Sequence, residues 1–374
     1  MKDKTVKRAI YVLFLYLSFV SVVKGQTGIN GIPYYIDIKK NYKNIETVNL
    51  SRIGKELSYL SLETSPQCLI QEIDKILFSK SFIFVNDTRN RLLQFDKNGK
   101  FIRQIGSQGR GPAEYLYVYD FCINEYTNEI YIFCLDKMLV FSFEGENIDT
   151  IKLSFRIADV IILDNTSLMF HLPNVPGPKY FATYSWIITD MQGNPKHKYK
   201  NHFMRVGNVG ASKTPIYIFD GYARFMEYGV DTLYYFKDTR KNPYALFSYG
   251  DLKKDPDPFI IPSNAEKNEE QKDKILIWTI TENEEFLFIK FSTDRWDKQV
   301  YAIYSKKTGK TTFLKDGVFK NDLDGGGEFW PKQIIDDKVL VDYVDAFTLL
   351  KNEVPKALKN KLTESSNPVL MILK

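Results

Sequence analysis

The sequence predicts an all-β protein, a six-bladed β-propeller of antiparallel four-stranded blades. Three observations carry that prediction. A strand pattern recurs at a fixed offset along the chain. The composition, with 27 Phe and 24 Tyr beside many Ile, Leu and Val residues, suits pleated sheets. No linker divides the 374 residues, and repeat architectures reach this length as one unit.

The offset is 46 residues. Phe84-Val85, Leu93-Gln94-Phe95, Gly99, Ile102 and Ile105 match Ile130-Tyr131, Leu139-Val140-Phe141, Gly145, Ile148 and Ile151. Each unit is an apolar strand, a short turn, a strand ending in an aromatic, a Gly turn and an alternating strand. Asp96-Lys97-Asn98-Gly99 is hairpin chemistry, because Gly supplies the positive φ such turns need. A third copy is Trp186-Ile187-Ile188-Thr189-Asp190-Met191-Gln192-Gly193. Weaker copies lie at 231–236, 286–309 and 339–350. Such a unit cannot bury both faces alone, and radial stacking covers them. A β-sandwich explains the alternation but not the offset.

At the amino terminus, Lys2, Lys4, Lys7 and Arg8 precede an uncharged apolar run over 9–23. Val23-Lys24-Gly25 then offers a cleavage point before Gln26. This reads as a secretory signal peptide over 1–25, the run being short of the about 20 apolar residues of a membrane span. Residues 26–374 are expected to form a single propeller domain, whose amino- and carboxy-terminal segments close the ring. Division of those 349 residues by six leaves about 58 per blade; seven blades also fit. The exported chain is expected in the periplasm or outside the cell, as a monomer.

Removing the leader's five basic residues and Asp3 leaves 46 Lys and Arg against 45 Asp and Glu. A near-neutral chain has no electrostatic footprint for nucleic acid. The basic cluster Lys196-His197-Lys198-Tyr199-Lys200, with Arg205 beyond it, reads as a solvated hairpin loop. Three cysteines, Cys68, Cys122 and Cys134, are an odd number and read as buried free thiols. Residues 253–274 read as a charged, exposed insertion, 354–362 as a short helix, and the stretch from Pro368 as a closing strand.

Chemistry-bearing motifs are few. Gly106-Ser107-Gln108-Gly109-Arg110-Gly111 lacks the following helix and Lys of a phosphate cradle and reads as a structural loop, with Arg110 bracing Glu114 or meeting a ligand. Asp322, Asp324 and Glu328 flank three glycines; carboxylates spaced by two suit a Ca²⁺ ion, and a polar turn explains them as well. His171, His197 and His202 form no zinc pattern, and no nucleophile elbow is present. Trp296 and Trp330 sit in loop-like sequence, where an exposed aromatic stacks on a sugar or anchors a partner.

With these residues in view, the chain resembles a bacterial family of exported six-bladed β-propellers, distantly related to the NHL-repeat proteins. The resemblance rests on Phe95-Asp96-Lys97-Asn98-Gly99-Lys100-Phe101, Ile105-Gly106, and Gly109-Arg110-Gly111-Pro112-Ala113-Glu114-Tyr115. Ala113 departs from the Gly usual there. Further matches are Leu62-Glu63-Thr64, Asp231-Thr232-Leu233-Tyr234, Asn321-Asp322-Leu323-Asp324-Gly325-Gly326 and Asn367-Pro368-Val369-Leu370. The resemblance implies fold and export, and carries no catalytic residue. The expected function is non-enzymatic binding of a small molecule, glycan or protein; the alternative is a metal-dependent propeller hydrolase or lyase with its site at the central channel.

Export is checked by sequencing the amino terminus of the mature protein. It should begin within a few residues of Gln26; a retained leader in the membrane fraction would identify an anchor instead.

Overall fold

The chain is described from a computed structural model covering residues 32–134, 136–173, 183–201, 214–254, 272–293, 298–351, 358 and 361–374. Blade 1 is Ile73–Phe78, Phe82–Asp87, Arg91–Asp96 and Phe101–Ile105. Blade 2 is Asp120–Asn124, Glu129–Phe133, Lys137–Ser142 and Asn147–Lys152. Blade 3 is Asp159–Asp164, Ser167–His171, Tyr184–Thr189 and Pro195–Lys200. Blade 4 is Ile216–Phe219, Tyr222–Met226, Thr232–Lys237 and Arg240–Ser248. Blade 5 is Leu276–Glu282, Phe286–Ser292, Gln299–Ser305 and Thr311–Leu314. Blade 6 is Gln333–Ile335, Val339–Val344, Val369–Leu373 and, as its outer strand, Leu57–Ser61. Six blades, not seven, close the ring.

The repeat has a direct structural counterpart. In blades 1 and 2 the third and fourth strands pair with a register shift at the same place, Gln94/Phe95 and Val140/Phe141. The Phe95 and Phe141 rings are buried, each between its own blade and the one before it. Phe95 packs with Cys68, Ile70 and Leu370, and Phe141 with Phe84, Leu92 and Tyr115. The core consists of such layers, one at each junction between neighbouring blades.

The Gly turns repeat too. Gly99 and Gly145 have φ of 79° and 86°. Each turn abuts the outer strand of the preceding blade: a Cβ on Gly99 would lie 2.3 Å from the Ser61 carbonyl oxygen, and one on Gly145 would lie 3.0 Å from Arg103 Cδ. Asp96 accepts from the Asn98 and Lys100 amides at 2.8 Å, and Asp190 holds the blade 3 turn in the same way.

Ring closure joins both ends of the chain. Leu57–Ser61 pairs antiparallel with Val369–Leu373. Beside that pairing, Asn367 donates to the Glu63 and Cys68 carbonyls at 2.7 and 2.9 Å and accepts from the Ile70 amide at 2.7 Å. The preceding residues form a strap. Tyr34–Asp37 adds in parallel to the outer edge of blade 4, and Ile45–Glu46 to that of blade 5. Between them Asp37 caps the short helix Ile38–Asn41 by accepting from the Lys40 amide. The strap covers edges that would otherwise invite intermolecular pairing.

Several expectations need correction. The Lys196 to Lys200 cluster is not a loop but part of the exposed outer strand of blade 3, with Tyr199 packed inward. In 339–350 only Val339–Val344 is strand. Asp345 accepts from the Thr348 amide, as an amino-terminal cap does, and Ala346–Lys351 is helix. Most of the helix expected at 354–362, most of the insertion, and the leader lie outside the described residues. The thiols of Cys68, Cys122 and Cys134 are free and buried. Cys122 pairs with Tyr131 across the hairpin rather than facing Cys134.

The glycine turns supply a test by thermal or denaturant unfolding. Gly99→Ala and Gly221→Ala both place a side chain at positive φ, but only the first drives it into backbone. Gly99→Ala should therefore lose clearly more stability. Phe95→Ala and Phe141→Ala should each cost about 3 to 5 kcal/mol, and unequal losses would break the equivalence of the two blades.

Candidate functional site

The two faces of the ring differ. Turns between first and second strands (79–81, 125–128, 165–166, 220–221, 283–285, 336–338) and between third and fourth (97–100, 143–146, 190–194, 238–239, 306–310) are short and share one face. The long connections 106–119 and 315–332 emerge on the other, where Arg240–Ser248 and Val339–Val344 also end. The first strand of each blade is innermost, and neighbouring first strands approach each other around the axis. Those strands begin at the long-loop face, which makes their first residues the mouth of the channel.

That mouth is polar. Asp120, the first residue of its strand and almost wholly buried, meets Lys75 Nζ of blade 1 at 2.5 Å. Its other oxygen accepts from the Val160 amide of blade 3 at 2.9 Å, so one carboxylate ties three inner strands together. Burial raises the Asp120 carboxyl and Lys75 opposes that rise; Asp120 in turn keeps the Lys75 ammonium above its ordinary value despite burial. Farther round, Asp159 Oδ2 lies 3.6 Å from His171 Nδ1, and His171 stacks on Trp186 at 4.5 Å. These two atoms are buried and make no hydrogen bond among the described residues.

Between blades 5 and 6 the wall changes character. The first strand of blade 5 shifts register between Ile277 and Thr279, which leaves Trp278 as an extra residue, 42% exposed. Across the hairpin from it, Lys290 pairs with Thr279. Lys332 Nζ, on the blade 6 side, contacts Asp342 Oδ1 and the Tyr343 carbonyl at 2.7 Å each. The buried Asp342 also accepts from the Trp330 amide at 2.9 Å. Burial raises its carboxyl, and Lys332 opposes that rise.

A second charge cluster lies toward the short-turn face, between blades 4 and 5. The Glu282 carboxylate is fully buried and accepts from Tyr217 Oη at 2.8 Å, from Tyr244 Oη and from Lys306 Nζ at 2.5 Å. Arg224 Nε lies 3.8 Å away, with its guanidinium 4.1 Å from the Tyr244 ring centroid. Burial lowers the Lys306 ammonium against the pull of Glu282. The Glu282, Arg224 and Lys306 side chains are each more than nine-tenths buried, as in an internal joint.

The residues singled out from sequence do not converge. Arg110 is exposed and does not brace Glu114. Glu114 instead accepts from the Gly111 amide at 2.7 Å, while Lys137 holds the Gly111 and Pro112 carbonyls at 3.1 and 3.0 Å. A Cβ on Gly109 would collide with the Glu114 carboxylate, so the loop's glycines serve close packing. Trp330 is not an exposed loop aromatic: it is buried among Phe288, Tyr301 and Phe319, with its ring stacked on Phe319. Trp296 lies outside the described residues.

Asp322 accepts from the Ser51 amide and hydroxyl at 2.9 and 2.6 Å; Asp324 accepts from Tyr59, Asn321 and Gly326. Glu328 is exposed. The first two carboxylates fasten the strap and its turn. Among the described residues no three His, Cys, Asp or Glu side chains are grouped to hold a metal ion.

Lys75, Asp120, Asp342 and Trp278 escaped the reading of the sequence. Their signal was a charge or Trp inside an apolar strand, as in Ile73-Asp74-Lys75-Ile76 or Val341-Asp342-Tyr343-Val344.

Comparison with known proteins agrees with this architecture. The model of a domain of unknown function, DUF4934, matches residues 33–374. The fold is similar to that of a candidate exported protein from Bacteroides fragilis, with a TM-score of 0.73 and 20% identity over 91% of this chain and 99% of that one. It is also similar to a DUF4221 family member from Bacteroides vulgatus, with a TM-score of 0.50 and 12% identity over 86% and 97% of the two chains. No curated protein matches the sequence. Among the described residues no helix is long and apolar enough to cross a membrane.

The Glu282 joint is open to test. Glu282→Gln leaves Arg224 and Lys306 buried without their counter-charge, so urea unfolding should show a loss of about 3 to 5 kcal/mol. A near-neutral effect would show that solvent reaches the cluster.

Proposed function

Since the chain belongs to the DUF4934 family, whose model spans nearly all of it, we propose that this propeller is a non-enzymatic binding module. It acts outside the cytoplasm and takes its ligand at the long-loop mouth of the channel. The observation that carries this reading is Trp278, a large aromatic left exposed on an inner strand, while other inner strands carry fixed polar groups. Aromatic faces supply contact area at low entropic cost, and fixed polar groups orient what lies on them. The Asp120 and Asp342 carboxylates are already held by lysines and backbone amides, which suits positioning better than proton transfer. The leader and the similarity to a candidate exported protein support a site outside the cytoplasm. Ligand classes that fit are a small molecule, a glycan or a protein loop.

The reading is tested by a thermal-shift screen of saccharides and small polar metabolites. A binder should raise the melting temperature of the wild type, because only the folded state holds it, and Trp278→Ala should abolish that rise while leaving the unliganded protein as stable as before. EDTA should leave the melting temperature unchanged, since hydrogen bonds already hold Asp322 and Asp324 in place. Stabilisation by Ca²⁺ that Asp322→Asn with Asp324→Asn removes, accompanied by hydrolysis or elimination of a saccharide, would replace this reading with the metal-dependent enzyme.

A further inference from the structure

The junction of blades 5 and 6 holds more positive charge than it neutralises. Lys290 lies on the second strand of blade 5, half-buried, with its ammonium 5.6 Å from the Tyr301 ring centroid. Among the described residues its ammonium makes no hydrogen bond or ion pair. The strand places it on the blade 6 side, since its neighbours Phe288 and Phe286 pack there and Leu287, Ile289 and Phe291 pack toward blade 4. Lys332 stands on the facing blade, 40% exposed, its ammonium 4.5 Å from the Tyr343 ring centroid. Burial and then the Lys332 charge hold the Lys290 ammonium below its ordinary value. Asp342 answers Lys332, and among the described residues no carboxylate answers Lys290. A half-buried cation that repels its neighbour costs stability, and such groups mark functional positions.

Thr279 faces Lys290 across the hairpin and is exposed, and Trp278 precedes it. The bulge therefore brings an open indole, a hydroxyl and an unpaired ammonium to one stretch of wall. Pyranose rings stack on such an indole through their C–H faces, and an anionic substituent would supply the charge that Lys290 lacks.

We infer that Trp278, Thr279, Lys290 and Lys332 form a subsite for an acidic saccharide, with the sugar ring on Trp278 and its carboxylate or sulfate on Lys290. The inference rests on the mouth being the binding site and adds the class of ligand. Lys332 borders the subsite with its charge already answered by Asp342. The Lys290 ammonium carries selectivity for charge, and the indole carries affinity for any sugar.

The probes are a galacturonate trimer, the neutral galactose trimer, a sulfated galactose trimer and sodium sulfate, followed by calorimetry and tryptophan fluorescence in low salt. At least one acidic trimer should bind about tenfold more tightly than the neutral one, and the advantage should shrink as salt screens it. The carboxylated and sulfated arms identify the anion, and sulfate alone should compete weakly. Lys290→Met should erase the acidic preference while the melting temperature holds or rises, because the substitution removes a desolvated charge beside Lys332. Equal affinity for acidic and neutral trimers, or an acidic preference that survives Lys290→Met, overturns the inference and leaves the mouth as the binding site. If no trimer binds but another ligand depends on Trp278, the acidic-sugar class falls alone. If Trp278→Ala alters the binding of no ligand that the protein takes, the proposed function falls with it.

Discussion

Ring closure governs this molecule. A blade has two apolar faces and can bury them only against neighbours, so six blades need a sixth junction as good as the other five. The pairing of Leu57–Ser61 with Val369–Leu373 makes that junction from the two ends of the chain. Asn367 secures it by meeting Glu63, Cys68 and Ile70 at once, although about 300 residues separate it from them in sequence. Phe95 is buried in the layer that Leu370 of the closing strand completes. The family motifs acquire a physical meaning here. Leu62-Glu63-Thr64 and Asn367-Pro368-Val369-Leu370 are two halves of one clasp, with the Asn367 amide donating to Thr64. Asn321 to Gly326 receives the strap through Ser51 and the outer strand of blade 6 through Tyr59.

Once closed, the ring divides labour between its faces. Short turns built on Gly and Asp pack on the preceding blade and define one face. The long connections gather at the other, together with the ends of the inner strands where Asp120 and Asp159 begin. Charge placed inside the blades follows the same logic. Glu282 with Lys306 and Arg224 is sealed between sheets and serves as a joint. Lys75 with Asp120 also joins blades, but near the long-loop end, where the inner strands begin. Rigid inner strands hold such groups more firmly than loops do.

The repeat offset, the Gly turns, the burial of Phe95 and Phe141 and the closing carboxy-terminal strand were legible because each follows from local periodicity. Period-two alternation decides which side chains enter a layer, and a turn Gly is fixed by its own φ. The amino-terminal strap was not legible. Tyr34–Asp37 and Ile45–Glu46 are short, and nothing local says that they add to blades 4 and 5 across about 200 residues or more. The candidate site was barely legible. Trp330 sits in loop-like sequence, yet Phe288, Phe319 and Tyr301 converge on it from other segments and bury it. Trp278 sits in strand-like sequence, yet a bulge exposes it.

The sequence alone therefore determined the class of sheet, its repeat and the residues that face the layers, since these depend on neighbours a few positions away. Tertiary structure alone decided the blade count, the strap and which charged side chains meet. Lys75 finds Asp120 only when two inner strands stand side by side, and Lys290 comes near Lys332 only when blade 5 packs on blade 6. Charge interacts through space rather than along the chain, and that separation is set only when the ring is closed.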